Sequence, residues 1–125
     1  MRLLLDTHIY IWAITDHPRL TQAARQLIVD ADDVFISSAS IWEASIKAGL
    51  GKLDADIDAL VSEIGASGFL ELPVRAVHAS VVRHLPDIHR NPFDRILIAQ
   101  ATHEPLHLVT ADAHLSAYSD LVITV

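Results

Sequence analysis

The chain contains no cysteine among its 125 residues, and this absence excludes two kinds of site. Disulfide bonds cannot form, and a zinc site built on thiolate ligands cannot exist. The lack of cysteine also fits a protein that works in the reducing cytoplasm. No glycine-rich phosphate loop is present, because the stretch at residues 49–52 lacks the required spacing and follows a helical segment instead of a strand.

Long apolar runs are also missing. No apolar stretch approaches the roughly 20 residues that span a bilayer. The apolar start at residues 3–5 is interrupted by Asp6, which comes too early for the core of a signal peptide. We therefore expect a soluble, intracellular protein that has no membrane partner.

Positive charge is scarce, since the formal net charge is −7. A nucleic-acid partner usually meets positive charge, so this balance argues against broad, tight binding to nucleic acid. The objection weakens if four carboxylates hold two divalent cations. The charge of the site would then change from −4 to about 0, and that of the chain from −7 to about −3. The composition is therefore compatible with a narrowly shaped nucleic-acid site or with a basic partner.

Apolar residues make up 51% of the chain, which suffices for one core and predicts a single domain over residues 1–125. Short apolar runs predict strands over residues 2–5, 34–37, 68–72, 107–110 and 121–124. Helical spacing of apolar residues predicts helices near 7–13, 22–31, 38–48, 54–65, 74–85 and 93–103, and a helical turn at 113–118. This alternation indicates an α/β protein, a three-layer α/β/α sandwich with a mainly parallel sheet of about five strands.

Four acidic residues occupy the positions where such a sheet collects ligands. Asp6 ends the first strand, and Asp112 follows the strand at 107–110. Glu43 lies one turn into the helix after the second strand, and Asp94 lies in the first turn of its own helix. All four can converge on the rim formed by the carboxyl ends of the strands. Gathering like charges is costly unless a divalent cation lies between them, and oxygen ligands without sulfur suit Mg²⁺ or Mn²⁺.

Each acid also has an ordinary structural alternative. Asp6 and Asp112 can cap the helical segments that follow them, and Glu43 fits a capping box with Ser40. Asp94 fits the first turn of a helix, where the helix dipole favours an acid. Capping explains each residue separately, but it leaves unexplained why four acids gather at one rim.

Five other polar residues are candidates for contacting substrate or for orienting the metal ligands. The hydroxyls of Thr7 and Thr110 lie beside the acids, although both can cap helices instead. Lys47 lies one turn after Glu43, and it can contact phosphate or form an i,i+4 pair with Glu43. Arg90 and Arg95 can contact RNA phosphate or pair with a neighbouring carboxylate.

Histidines and tryptophans point less clearly to a site. A zinc pair at His103 and His107 is not expected, because Pro105 interrupts the helix that would align the two rings. Trp12 and Trp42 can stack on bases, but both fall within apolar helix faces, which predicts that they pack in the core.

Three stretches of the chain, in this order and spacing, resemble PIN-domain ribonucleases of the VapC type, the toxin half of a type II toxin–antitoxin pair. The first is LLDTH at residues 4–8 with Trp12, and the second is SIWE at residues 40–43 with Lys47. The third is HRNPFDR at residues 89–95, followed by IAQA at 98–101 and VTAD at 109–112. The resemblance covers essentially the whole chain and implies the PIN fold, a parallel sheet between helical layers.

The acidic quartet of this family corresponds to Asp6, Glu43, Asp94 and Asp112. The resemblance further implies RNA cleavage with Mg²⁺ or Mn²⁺, a homodimer, and silencing by a cognate antitoxin protein. One residue departs from the pattern: related sequences often carry an acid where Asn91 lies. Asn91 can still cap the helix that follows it, but it adds no charge near a metal.

We therefore expect a metal-dependent endoribonuclease in which Asp6, Asp94 and Asp112 ligate Mg²⁺ or Mn²⁺. Glu43 either joins them as a ligand or positions the attacking water, which the metal activates. One alternative is a catalytically idle PIN-like module that only binds a partner protein. Another is a phosphoryl-accepting receiver or phosphatase, but the phosphatase pattern needs an acid two residues after Asp6, where His8 stands.

Overall fold

The computed structural model describes all residues from Met1 to Val125 and contains one five-stranded sheet. The strands, in chain order, are β1 (Arg2–Leu5), β2 (Asp33–Ser37), β3 (Leu70–Leu72), β4 (His107–Thr110) and β5 (Val122–Thr124). The helices are α1 (Thr7–Thr15), α2 (Gln22–Asp30), α3 (Ser38–Gly49), α4 (Ile57–Ala66), α5 (Ala76–Val81) and α6 (Pro92–His103). Two short 3₁₀ segments cover Val82–His84 and Ala113–Ala117. No helix has the length and apolar character needed to cross a bilayer.

The five strands lie in the order β3-β2-β1-β4-β5, and every neighbouring pair is parallel. The chain builds outward from β1 to β3 and then returns past β1 to place β4 and β5 on the other side. The direction of winding therefore reverses between β1 and β4. In open α/β sheets the ligand crevice lies at this reversal, outside the carboxyl ends of the strands.

Helices cover both faces of the sheet, which explains why the central strands β1, β2 and β4 are mostly apolar. Successive side chains of a strand point to opposite faces. Leu3 and Leu5 of β1 accordingly pack into a cluster with residues of α1 to α4. Leu4, between them, packs into a second cluster that contains Leu97 and Ile98 of α6. The predicted α/β/α sandwich and its five-stranded parallel sheet are confirmed.

The helix predicted over residues 74–85 is shorter in the structure, because a histidine side chain sets its start. The Nδ1 atom of His78 accepts a hydrogen bond from the backbone N–H of Arg75, so α5 begins at Ala76. The helix tightens into the 3₁₀ segment after Val81. The other predicted elements differ from the observed bounds by at most three residues at either end.

The prediction that both tryptophans pack in the core is wrong for Trp42. Its side chain is 64% exposed, whereas Trp12 packs partly buried against the core. The buried face of α3 carries small residues and Glu43, so Trp42 points the other way. It shares an exposed stripe with Ile46 and Leu50, each one helical turn further along. The ring of Phe93 stands against it, with the centroids 5.0 Å apart.

Truncation of a side chain in the central strands should destabilise the protein strongly. Leu108 of β4 is fully buried, so Leu108→Ala should lower the free energy of unfolding by about 2–5 kcal/mol through lost contacts and a cavity. Urea denaturation followed by circular dichroism measures this change. Val29→Ala is the matched control, because Val29 is 76% exposed, and it should change stability by less than about 0.5 kcal/mol. Equal effects in the two variants would contradict the described core.

Candidate metal centre

A polar pocket of about 240 Å³ opens at the carboxyl edge of the sheet, and no apolar residue lines it. All four acids named above belong to its lining, which consists of Asp6, Thr7, His8, Glu43, Lys47, His89, Asn91, Asp94 and Asp112. The fold explains why the four acids lie together. Asp6 follows β1 and Asp112 follows β4, the two strands at the reversal, while α3 and α6 contribute Glu43 and Asp94.

Asp6 caps α1 and lines the pocket at the same time. Its Oδ1 atom accepts a hydrogen bond from the backbone N–H of Ile9 at 2.8 Å. Its Oδ2 atom accepts one from the hydroxyl of Thr110 at 2.5 Å. Burial raises the pKa of Asp6 above its usual value of 3.8, although these hydrogen bonds act in the opposite direction. Asp6 therefore both caps α1, as the structural alternative predicted, and lines the pocket.

Glu43 is buried and held through both of its oxygens. The hydroxyl of Thr7 donates to Oε1 at 2.5 Å, and the ammonium group of Lys47 donates to Oε2 at 2.7 Å. The capping-box alternative is wrong, because Ser37 caps α3 and Glu43 lies in its second turn. These two bonds orient the carboxylate toward the pocket from the helix side.

Asp94 is the acid with the least support from protein donors. It lies in the first turn of α6, and no hydrogen bond from the protein lowers its pKa. Burial raises the pKa of Asp94 to about 6, and the negative charge of Glu43 adds to this effect. The imidazole of His89 opposes the shift, and Asp6 and Asp112 contribute smaller repulsions.

Asp112 has the opposite electrostatic character. The backbone N–H of His114 donates to its Oδ1 atom at 2.9 Å and holds the pKa of Asp112 below its usual range. The imidazole of His114 lies 3.0 Å from the same oxygen. Asp112 thereby caps the 3₁₀ segment that follows β4, and the helix-capping role predicted from the sequence is confirmed for this residue.

His89 also lines the pocket, although the sequence did not predict it as a site residue. Its Nε2 atom lies 3.4 Å from Oδ2 of Asp94 and 3.5 Å from Oδ2 of Asp112. One atom from each of these three side chains falls within 4.8 Å of the others, a spacing at which a cation can be shared. The signal that would have found His89 is its place in the loop that leads directly into α6.

The other predicted site residues divide into two groups. Thr7, Lys47 and Asn91 line the pocket, and Thr110 touches it through its hydrogen bond to Asp6. Asn91 also caps α6, as predicted, by accepting a hydrogen bond from the N–H of Phe93.

The two arginines lie outside the lining of the pocket. The guanidinium of Arg95 donates to the backbone carbonyls of Val82 and Pro86 and to the hydroxyl of Tyr118, so it is engaged within the protein. Arg90 is exposed and borders a separate apolar cavity of about 630 Å³. No carboxylate lines that larger cavity, which lies beside Trp42 and Phe93, whereas the smaller pocket contains all four acids.

Comparisons with solved structures extend the description of the fold. The VapBC2 complex from Rickettsia felis, bound to a promoter DNA fragment, gives a TM-score of 0.70 at 20% identity over 100% of this chain and 98% of that chain. A toxin–antitoxin complex from Klebsiella pneumoniae gives 0.67 at 20% identity, covering 98% and 96%. Mycobacterium tuberculosis VapC20, described as a toxin that cleaves the sarcin–ricin loop, gives 0.64 at 16% identity, covering 94% and 97%. At these identities the likeness concerns the fold.

Sequence comparison gives the family directly. No curated protein matches the chain in sequence. The family model of the PIN domain, in contrast, matches residues 3–121. This span contains β1 from its second residue, all of β2, β3 and β4, and all four acids of the pocket, and it ends just before β5. The resemblance seen in the three sequence stretches is thereby confirmed, and the chain belongs to the PIN-domain family.

Proposed function

We propose that this protein is a metal-dependent endoribonuclease and the toxin component of a toxin–antitoxin pair. The observation that carries the proposal is the meeting of four carboxylates in one pocket of about 240 Å³ at the carboxyl edge of the sheet. Membership of the PIN-domain family supports it. Structures with a similar fold include toxin–antitoxin complexes and a toxin described as cleaving the sarcin–ricin loop.

The donor set of the pocket fits a hard divalent cation. Its carboxylates offer several oxygen atoms and no sulfur, which suits Mg²⁺ or Mn²⁺. Burial raises the pKa values of Asp6 and Asp94, because removal from water disfavours the charged carboxylate, and the negative charge of Glu43 adds a smaller part. A divalent cation would offset this charge. We propose Asp6, Asp94 and Asp112 as its ligands.

The residues around the acids provide the fixed geometry that phosphodiester hydrolysis requires. When bound, the cation would lower the pKa of a water molecule and screen the phosphate. Hydrolysis forms a P–O bond to the water oxygen and breaks the P–O bond to the leaving ribose oxygen. We assign Glu43 the role of orienting the attacking water; the hydrogen bonds that hold its carboxylate, from Thr7 and Lys47, support this assignment. The amide of Asn91 and the ammonium of Lys47 face the same pocket and can donate to phosphate oxygens.

We propose a second copy of the chain and an antitoxin as protein partners. Trp42, Ile46 and Leu50 expose 64%, 40% and 64% of their surfaces along one face of α3. This apolar face borders the cavity of about 630 Å³ that Val74 and Phe93 also line. Monomeric proteins rarely leave such a contiguous apolar surface open, so we assign the face of α3 to the homodimer. The antitoxin proposal rests on the toxin–antitoxin complexes with a similar fold.

Removing a proposed metal ligand should abolish the nuclease activity. Purified Asp6→Asn and Asp94→Asn variants should fail to cleave total cellular RNA in Mn²⁺, and EDTA should stop cleavage by the unmodified protein. Asp54→Asn is the matched control, because Asp54 is an exposed acid outside the pocket, and it should cleave normally. Sequencing of the cut ends gives the readout. If the unmodified protein never cleaves RNA but binds a partner, the idle interaction module is the better description.

The same Asp94→Asn variant should become more stable near neutral pH. The pKa of Asp94 is about 6 in the folded protein and 3.8 ordinarily. Between these two pH values the folded state therefore holds a proton that the unfolded state has lost. The free energy of unfolding therefore falls as the pH rises from about 4 to about 6. Asp94→Asn should recover up to about 3 kcal/mol at pH 7 and almost nothing at pH 4. Urea denaturation in EDTA at each pH measures this difference in stability. Destabilisation by Asp94→Asn at pH 7 would contradict the raised pKa of Asp94.

A charge placed on the exposed face of α3 should disrupt the proposed homodimer. Trp42→Glu introduces a carboxylate at the centre of that face, where burial against a second copy would desolvate it. Sedimentation velocity should show a dimer for the unmodified protein and a monomer for the variant. Val29→Glu is the control, because Val29 is 76% exposed on α2, away from this face, and it should stay dimeric. A dimer that survives Trp42→Glu would move the interface elsewhere.

A further inference from the structure

We propose that His8 is a stacking platform for an unpaired base of the RNA strand, beside the acidic pocket, and that Arg19 contacts a phosphate of the same strand. The inference rests on the proposed function, because it concerns how the nuclease would hold its substrate. It places part of the strand along α1. Both residues bind substrate in this proposal, and neither takes part in breaking the P–O bond.

Three flat rings and one guanidinium lie together along α1 and just after it. His8 and Trp12 are one helical turn apart, and their rings stack with the centroids 6.1 Å apart and the planes at 24°. The ring of His17, which follows the end of the helix, stacks on Trp12 at 5.7 Å and 23°. The guanidinium of Arg19 lies over the same indole, 5.3 Å from the ring centroid. We call these four side chains the stacked row.

The stacked row reaches the acidic pocket through His8. This residue is exposed and belongs to the lining that contains all four acids. Trp12 packs partly buried against the core, so it supports the ring of His8 from the side of the protein. Unpaired RNA bases stack on flat side chains, including histidine rings and arginine guanidinium groups. A base next to a phosphate held in the pocket would therefore meet His8 first.

The ending of α1 explains only the inner members of the stacked row. The backbone N–H of His17 donates to the carbonyl of Trp12 at 2.9 Å, and Nδ1 of His17 accepts a hydrogen bond from the backbone N–H of Arg19 at 3.1 Å. These bonds end the helix and hold the chain around His17. They do not involve the side chains of His8 and Arg19, which are both exposed. A structural role therefore leaves these two side chains available to a ligand.

Arg19 supplies positive charge in a chain that has little of it. The sequence contains 9 lysines and arginines against 16 acids. Asp16, the acid nearest to Arg19 in the sequence, already pairs with Arg25 at 2.5 Å. Arg19 takes part in none of the salt bridges of the chain. Its guanidinium can therefore stay over Trp12 and bind a phosphate oxygen at the same time.

Binding of two matched RNA strands tests the platform. Each strand has about eight nucleotides; one is abasic throughout, and the other carries a single adenine in the middle. Affinities are measured in Mg²⁺ with the full chain carrying Asp94→Asn, so that the result does not depend on cleavage. Because a stacked base contributes at least about 1 kcal/mol, the adenine should raise the affinity about 5-fold or more.

Variants of His8 assign this gain to the ring. In His8→Ala the adenine should add no affinity, because the platform is missing. His8→Phe keeps a flat ring and should preserve the gain. His84→Ala is the matched control, because His84 is an exposed histidine outside the pocket and the stacked row, and it should also preserve the gain.

The salt dependence of the same binding tests the contact between Arg19 and phosphate. Arg19→Gln should reduce the slope of log affinity against log salt by about 0.7, the value for one phosphate on a single strand. Arg19→Lys keeps the charge and should keep the slope. Arg83→Gln is the matched control, because Arg83 is an exposed arginine on the 3₁₀ segment Val82–His84, and it should leave the slope unchanged.

Fluorescence gives a readout that leaves His8 intact. A chain carrying Trp42→Phe has Trp12 as its single indole. Because Trp12 lies directly behind His8, the strand with the adenine should quench its emission more strongly than the abasic strand.

An adenine that adds the same affinity to the His8→Ala chain, or equal quenching by the two strands, would overturn the platform. An unchanged salt slope in Arg19→Gln would overturn the phosphate contact. Either result would leave the nuclease proposal intact, because cleavage of total RNA is measured separately. A protein that shows the adenine gain but never cleaves RNA would lose the nuclease proposal and keep the platform. If His8→Ala does not fold, as judged by circular dichroism, His8→Phe and the quenching of Trp12 decide.

Discussion

Repulsion among carboxylates that a parallel sheet brings to one edge is the constraint on which the pocket depends. The carboxyl ends of β1 and β4 lie side by side, so Asp6 and Asp112 meet whatever else the chain does. The protein offsets part of the repulsion with fixed donors, such as the hydroxyl of Thr110 on Asp6 and the ammonium of Lys47 on Glu43. The pKa values of Asp6 and Asp94 remain raised, first because burial disfavours the charged carboxylates and then because neighbouring carboxylates repel them. A divalent cation would offset both effects, and this is the physical argument for a cation.

The fold could be predicted from the sequence because the central strands β1, β2 and β4 are covered on both faces and are therefore mostly apolar. The acids at strand ends could be predicted for the same reason, since a charge after a buried run can only lie at the rim. The order of the strands could not, because periodicity describes one segment and parallel neighbours are far apart in sequence. Leu5, for example, pairs with Ile36 on one side and Val109 on the other.

Two residues show why the rest of the site could not be predicted from the sequence. His89 lies in a loop without periodicity, and only the hydrogen bonds of Asn91 and Tyr118 determine where its ring points. Trp42 lies on a helix that has apolar residues on more than one face, so spacing alone does not say which face is buried. The structure buries the face with Glu43, because Thr7 and Lys47 satisfy that carboxylate, and it leaves Trp42 outside.

The hydrogen bond between Asp6 and Thr110 joins residues 104 positions apart, and this separation has a consequence for synthesis. While a ribosome is still translating the first two thirds of the chain, neither β4 nor the acids at 94 and 112 exist beside β1. Long-range contacts of this kind form only after the distant segment is available. A nascent fragment thus has no complete pocket. Under the proposed function, a cell would meet the destructive chemistry only after almost the whole polypeptide had been released, which leaves time for a co-expressed inhibitor to be ready.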